Sequence, residues 1–316
     1  MILTTFTKKN SIKHLIVIEG PTASGKTSLS IELAKHFNTS ILSADSRQFY
    51  KELEIGTAKP PLEEQAGVQH HFIDSHSVTD EISSARFEKE GLEILEQLFT
   101  STDIVILVGG SGMFIDALCN GLDNIPVDAV IKQHIQAEHD EYGTLPLLDE
   151  LKEKDPLYFE TIDKNNPTRI IRAIEAIRIT GKPYSGLRKS QPKTRPFQVH
   201  KYVINHDRTF LYNRINLRVD LMLQAGLIDE VKSVLQYRNL SSLKTVGYTE
   251  IFDFLDGNCT LEEATDKIKK NTRRYAKRQL TWFRRHKDAV WINFDQNSKM
   301  TEAIISNFNS TLQLKK

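Results

Sequence analysis

Short apolar runs alternate with amphipathic ones along the first hundred residues. Residues 14–18 (His-Leu-Ile-Val-Ile) are apolar and rich in β-branched side chains, which predicts a buried strand. Leu29, Leu33 and Phe37 then recur at helical spacing with Ala34 beside them, so a helix follows at once. A second strand is predicted over 40–44 and a helix over 85–99, with Phe87, Leu92, Leu95 and Phe99 on one side. A third buried strand, 103–108, stops at Gly109-Gly110. This alternation predicts a parallel sheet covered by helices on both faces, with ligands beyond the carboxyl ends of its strands.

From about Leu122 apolar residues become sparser. Helical segments are separated by Asp155-Pro156, Asn166-Pro167 and Gly181-Lys182-Pro183, and residues 185–195 are polar and basic. Residues 123–195 are therefore expected to form a mostly helical insertion. Residues 199–204 alternate like a strand returning to the sheet. Helices are predicted over 208–225, 227–236, 247–255 and 261–287, and a last short strand over 291–294. No internal repeat or low-complexity tract is present.

Composition narrows the class. The 316 residues, 39% hydrophobic and 26% charged, suit a soluble protein of one large or two ordinary domains. No apolar run is long enough to span a bilayer, and residues 1–14 lack the apolar segment of a secretion signal, so a cytoplasmic protein with no membrane partner is expected. Two cysteines, Cys119 and Cys259, exclude a disulfide framework and an all-Cys metal site. His70, His71 and His76 lack partners at zinc-ligand spacing. The net charge is only +1, but the positive charge is concentrated. Residues 168–195 carry eight Lys or Arg and one acid, Glu175; residues 271–288 carry seven and one acid, Asp288. Such stretches fit either anionic contacts or solvated helix faces.

Between the first strand and its helix lies Gly20-Pro21-Thr22-Ala23-Ser24-Gly25-Lys26-Thr27, a complete G-x-x-x-x-G-K-[ST] loop in the strand-loop-helix context that makes it specific. Its amides and the positive helix end can hold a di- or triphosphate; Lys26 adds a point charge, and the Thr27 hydroxyl can ligate Mg²⁺. The fold class is accordingly α/β, a P-loop NTPase-like parallel sheet flanked by helices. The core comprises 1–122 and 196–316, interrupted by the helical insertion at 123–195. Asp45 ends the second strand on the phosphate rim, where a carboxylate serves as general base, metal ligand or simple helix cap. The third strand ends in Gly109-Gly110-Ser111 and not in the acid that commonly helps hold Mg²⁺ in ATPases and GTPases, which weakens a motor or switch. Arg214 and Arg218 share a predicted helix face and could clamp a diphosphate. Residues 273–285 interleave cations with Tyr275, Trp282 and Phe283, as RNA-binding helices do and as helices with core aromatics and a solvated basic face also do.

The motifs together resemble the tRNA dimethylallyltransferase (tRNA isopentenyltransferase) family. The matches are the loop at 20–27, Asp45-Ser-Arg-Gln-Phe-Tyr50, Ile55-Gly-Thr-Ala-Lys-Pro60, Leu107-Val-Gly-Gly-Ser-Gly-Met113, Asn166-Pro-Thr-Arg169 with Arg172-Ala-Ile-Glu175, Gly181-Lys-Pro183, Val246-Gly-Tyr248 and Ala276-Lys-Arg-Gln-Leu-Thr-Trp-Phe-Arg284. The resemblance implies transfer of a dimethylallyl group from dimethylallyl diphosphate to N6 of the adenosine 3′-adjacent to the anticodon, with Mg²⁺ as cofactor, by a monomer bound to a tRNA anticodon stem-loop. It implies Asp45 as general base, Ser111 and Arg218 as further catalytic groups, and the loop as the diphosphate site with Thr27 toward Mg²⁺. It implies tRNA contacts at Asp45, Ser46, Arg47, Gln48, Ser111 and Lys132. The same holds for Thr168, Arg169, Ile170, Ile171 and Arg172, and for Lys244, Thr245, Val246, Gly247, Tyr248 and Thr249. The last implied set is Lys277, Arg278, Gln279, Leu280, Thr281, Trp282, Phe283 and Arg284. Ser111 stands where the family commonly has Thr, and Lys132 near a position that is often Arg, where bidentate contact is lost.

Overall fold

The computed structural model describes residues 11–189, 191–294 and 299–313. Most of the stretch read for a secretion signal, residues 1–10, lies outside them, as does Ser190 within the basic segment 185–195. In chain order the elements are β1 (His14–Glu19), α1 (Lys26–Phe37), β2 (Ile41–Ala44), α2 (Leu62–Gln65), β3 (His70–His71), α3 (Ser84–Leu98), β4 (Ile104–Gly109) and α4 (Gly112–Asn120). Five helices follow: α5 (Ala129–Tyr142), α6 (Leu145–Lys154), α7 (Pro156–Thr161), α8 (Pro167–Thr180) and α9 (Tyr184–Leu187). The chain ends with β5 (Gln198–Asn205), α10 (Arg208–Gln224), α11 (Leu227–Ser233), α12 (Tyr248–Leu255), α13 (Leu261–Phe283), β6 (Val290–Asn293) and α14 (Met300–Gln313). Two compact units result: Met1–Cys119 with Arg195–Lys316, and Asn120–Thr194.

In the first unit, among the described residues, the strands form one parallel sheet in the order β3-β2-β4-β1-β5-β6. Alternation along β1 divides the core, as the two-residue period of a strand requires. Leu15 and Val17 face a cluster with Phe49, Phe72 and Phe87, whereas Ile16 and Ile18 face Leu29, Leu33, Ile304 and Phe308. Both faces are thus buried, and the strands read as unbroken apolar runs. A third cluster, with Val219, Val231, Tyr248, Ile251 and Ile268, joins α10 to α13. The edge strand β3, paired only through Ile41 with His70 and Leu42 with His71, is too short to leave a periodic signal in the sequence. The helix expected over 227–236 ends at Ser233 and continues as a 3₁₀ turn, Leu235–Tyr237.

The second unit packs α5, α6 and α8 around Ile135, Leu147, Leu151, Ile170, Ile174 and Ile177. Its helix ends follow local chemistry. Asp128 accepts from the amides of Val130 and Ile131, Asn166 from that of Arg169, and Gly181 closes α8. Arg178 on α8 clamps Glu138 of α5 and Glu150 of α6 at 2.6–3.0 Å.

Helix α13 stops at Phe283, four residues before its periodicity ends, because His286 is drawn inward. Its Nδ1 donates to Glu19 at 2.8 Å, and its Nε2 lies 2.8 Å from Asp116 Oδ1. Glu19 is the last residue of β1 and is wholly buried. Burial alone would lower the pKa of His286, but the flanking carboxylates hold the imidazolium and raise it from 6.5 to about 9. Burial also raises the Glu19 carboxyl, against the opposing pull of His286. Since the folded-state value of His286 exceeds the ordinary one, its stabilisation is complete below pH 6.5 and lost as pH rises through about 9. Thermal unfolding should therefore show a falling Tm between those values, and His286→Gln should flatten the fall. Identical profiles for the two proteins would contradict this.

Candidate active site

Register places the site. Ala44 of β2 is level with Gly109 of β4, and Gly109 is level with Glu19 of β1. The segments beginning at Asp45, Gly110 and Gly20 therefore leave three adjacent strands on one row, at the carboxyl edge where α/β sheets bind ligands. The loop 20–25 then turns into α1, whose first residue is Lys26.

The loop is held by distant side chains. Gln279 of α13 accepts from the Thr22 amide at 2.9 Å and donates to the Gly110 carbonyl at 2.9 Å, so one buried amide ties the loop to the end of β4. A Cβ at residue 110 would lie 2.2 Å from Gln279 Nε2, so any side chain there would displace the Gln279 amide from its bonds. His206, just after β5, bonds the Ser24 carbonyl at 2.7 Å through Nε2. Arg214 of α10 donates to the Ala23 carbonyl at 2.8 Å, and Arg218, one turn on, to the Thr22 hydroxyl at 3.4 Å. Both arginines of the predicted face thus reach the loop. Among the described residues the buried Ser24 hydroxyl has no hydrogen-bond partner.

Electrostatically the rim sets desolvated cations beside the Asp45 carboxylate. Lys26 bonds the Pro21 carbonyl at 2.7 Å. Burial lowers its pKa from 10.5 to about 8, with Arg218 adding to the effect and Asp45 opposing it. Arg218 is likewise lowered by burial and by Arg214, and again Asp45 opposes. The three groups therefore share one field. Asp45 accepts from the Arg47 amide at 3.0 Å, which forms a tight Asx turn. Beside it the Ser111 hydroxyl accepts from the Ser46 amide at 3.0 Å, and the Tyr275 hydroxyl of α13 bonds with Ser111 within the field of Asp45. Burial, with Asp45 adding to it, pushes the Tyr275 phenol up to about 12, so it stays a neutral donor.

Among the described residues no group of three or more His, Cys, Asp or Glu side chains is gathered to hold a metal. The oxygens offered at this rim include the Thr27 hydroxyl, in the first turn of α1, and the Asp45 carboxylate, which shares the field of Lys26. Mg²⁺ takes few protein ligands and completes its shell with water and phosphate oxygens, so this sparse donor set suits it when a diphosphate supplies the rest.

The positions read as RNA contacts divide by exposure. Lys132, Thr168, Arg169, Lys244, Thr249, Lys277, Arg278, Thr281 and Arg284 are exposed. Ile170, Ile171, Tyr248, Gln279 and Phe283 are buried within their own units, so any effect they have on a ligand passes through packing. Gln48 and Arg172 are spent on internal bonds, Gln48 to the carbonyls of Thr57 and Ala58, Arg172 to Glu175 and the carbonyls of Ile125 and Pro126. Trp282 donates to Asp116 at 2.8 Å. Sequence reasoning missed His206, His286 and the loop-clamping use of Gln279. Their partners lie 169–267 residues away, beyond the reach of periodicity or spacing.

A family model described as IPP transferase matches residues 48–286. tRNA dimethylallyltransferase 1 of Bacteroides thetaiotaomicron is 48% identical over 289 residues, 91% of this chain and 94% of that one. The tRNA isopentenylpyrophosphate transferase of Bacillus halodurans superposes with a TM-score of 0.70 at 37% identity, covering 96% of this chain and 99% of that one. A eukaryotic dimethylallyltransferase solved acting on tRNA superposes with a TM-score of 0.79 at 28% identity, covering 95% and 80%. The family match begins at Gln48, downstream of the phosphate loop and Asp45, and the full-length relatives extend the likeness over nearly the whole chain. The chain belongs to the IPP transferase family.

Proposed function

We propose that this protein, acting as a cytoplasmic monomer, transfers the dimethylallyl group of dimethylallyl diphosphate to N6 of the adenosine 3′-adjacent to the anticodon in tRNA. The observation that carries the reading is the shared field of Lys26, Arg218 and Asp45 on a rim whose central strand ends in Gly-Gly-Ser. Desolvated cations around a phosphate loop suit a departing diphosphate, and the Asp45 carboxylate beside them suits a proton acceptor. Relatives of similar length and high identity named for this activity support the same reading.

The N6 lone pair attacks the allylic carbon as its bond to the diphosphate oxygen breaks. The diphosphate leaves with the bonding electrons, and the N6 proton passes to an Asp45 oxygen. The loop amides, Lys26 and Arg218 meet the charge that grows on the leaving group. The Thr27 hydroxyl would hold Mg²⁺, which would supply further positive charge there. Ser111 and Tyr275 fix the turn that carries Asp45. The exposed cations Lys244, Lys277, Arg278 and Arg284, with Lys132 and Arg169 of the second unit, meet tRNA phosphates.

Labelled dimethylallyl diphosphate with Mg²⁺ and no ATP should label unmodified tRNA at the predicted adenosine, read by nucleoside mass spectrometry. No incorporation into a complete tRNA pool would overturn the proposal. Asp45→Ala should lower kcat by about 10²–10⁴ with the KM for tRNA little changed; parental kcat would remove Asp45 from the base role. Because Lys26 binds the anion only when protonated and titrates near 8, the KM for the diphosphate donor should rise above that pH, about tenfold by one unit higher. Lys26→Met should abolish that dependence, and a flat wild-type profile to pH 9.5 would count against it.

A further inference from the structure

Glu230 lies on α11, outside the phosphate rim, yet it is the most heavily engaged carboxylate near the turn of Asp45. Its Oε2 accepts from the amides of Glu54 and Ile55 at 2.9 and 2.6 Å. Its Oε1 accepts from the Gly56 amide at 2.8 Å and from the Tyr248 hydroxyl at 2.6 Å. Three consecutive amides and a phenol thus converge on one side chain. Tyr248 is fully buried, and a Cβ at Gly56 would come within 2.6 Å of its ring, so ring and backbone are in tight contact. The residues that follow are tied back to the Asp45 segment. Gln48 donates to the carbonyls of Thr57 and Ala58 at 3.2 Å, and Lys59 donates to the Tyr50 carbonyl at 2.8 Å.

We infer that Glu230 and Tyr248 are positioning residues for the general-base turn, acting through the loop 54–59 on Gln48 and Tyr50 and so on Asp45. The path is contiguous. Glu230 sets the backbone of 54–56, the carbonyls and Lys59 just beyond hold residues 48 and 50, and the Asx turn of Asp45 closes on Arg47, one residue before Gln48. Tyr248 then belongs to this device and does not touch RNA. The inference rests on Asp45 being the base.

The variants are Glu230→Gln and Tyr248→Phe in the full chain. Gln keeps the size of Glu but turns an NH₂ toward amide donors; Phe removes one hydroxyl. Glu230→Gln should lower kcat about 100-fold, as expected for a small displacement of a reacting group, and Tyr248→Phe about fivefold. Equilibrium binding of dimethylallyl diphosphate should stay within about twofold in both, since the phosphate loop is held by other residues. Hydrogen–deuterium exchange over residues 43–58 should quicken while that over β1 does not. Unchanged exchange over 43–58, or quicker exchange with parental kcat, overturns the inference. So does quicker exchange across the whole unit with matching loss of donor binding, which marks general destabilisation. If Glu230→Gln does not fold, Tyr248→Phe carries the test alone. Asp45→Asn run alongside separates the two readings, because full activity there removes the base role while the exchange data still report on positioning.

Discussion

One buried amide sets the geometry of the rim. Gln279 satisfies an N–H of the phosphate loop and a C=O at the end of β4 with the two ends of a single side chain. Removing it would leave two buried backbone groups unpaired, each costing on the order of 1–3 kcal/mol. It also constrains its surroundings: a side chain at residue 110 would push the Gln279 amide off its partners, and α13 must pass close to the end of β4. Seven residues further on, His286 seats the end of the same helix between Glu19 and Asp116. The helix that brings basic residues to the surface is thus the one that fastens the phosphate loop.

The electrostatics follow from that frame. The loop presents amides, a helix N-terminus and two desolvated cations beside the Asp45 carboxylate. Without an anion these cations repel one another, and burial lowers the pKa of each. Strain of that kind is relieved most by a ligand of high negative charge, and it is already in place when charge grows on a leaving group. The other carboxylate at these strand ends, Glu19 of β1, is taken up by His286, which leaves Asp45 as the strand-end acid that shares the field of Lys26 and Arg218.

Most of the architecture was legible in the sequence because it rests on local signals: β-branched runs, helical spacing, and proline or asparagine at helix starts. The loop, Asp45 and Ser111 were legible because each follows a readable strand. The roles of Gln279, Tyr248 and Phe283 were not. Their residue types suit contact with RNA, and their actual partners lie on elements far away in the chain. Glu230 gave no signal at all, since a glutamate on a short helix reads as solvated until the backbone of residues 54–56 is seen folded over it.

The interleaving of cations and aromatics in 273–285 resolves into two faces. Tyr275, Trp282 and Phe283 are turned toward the protein, against Ser111, Asp116 and the core. Arg274, Lys277, Arg278 and Arg284 are turned outward. Of the two attractions such a helix offers RNA, stacking on bases and grip on phosphates, the fold has used the first internally and left the second available. A surface of that kind positions a nucleic acid without reading its sequence. Under the proposed function, selection of one adenosine then falls to the rim that carries Asp45, and a base already out of its stack reaches it at least cost.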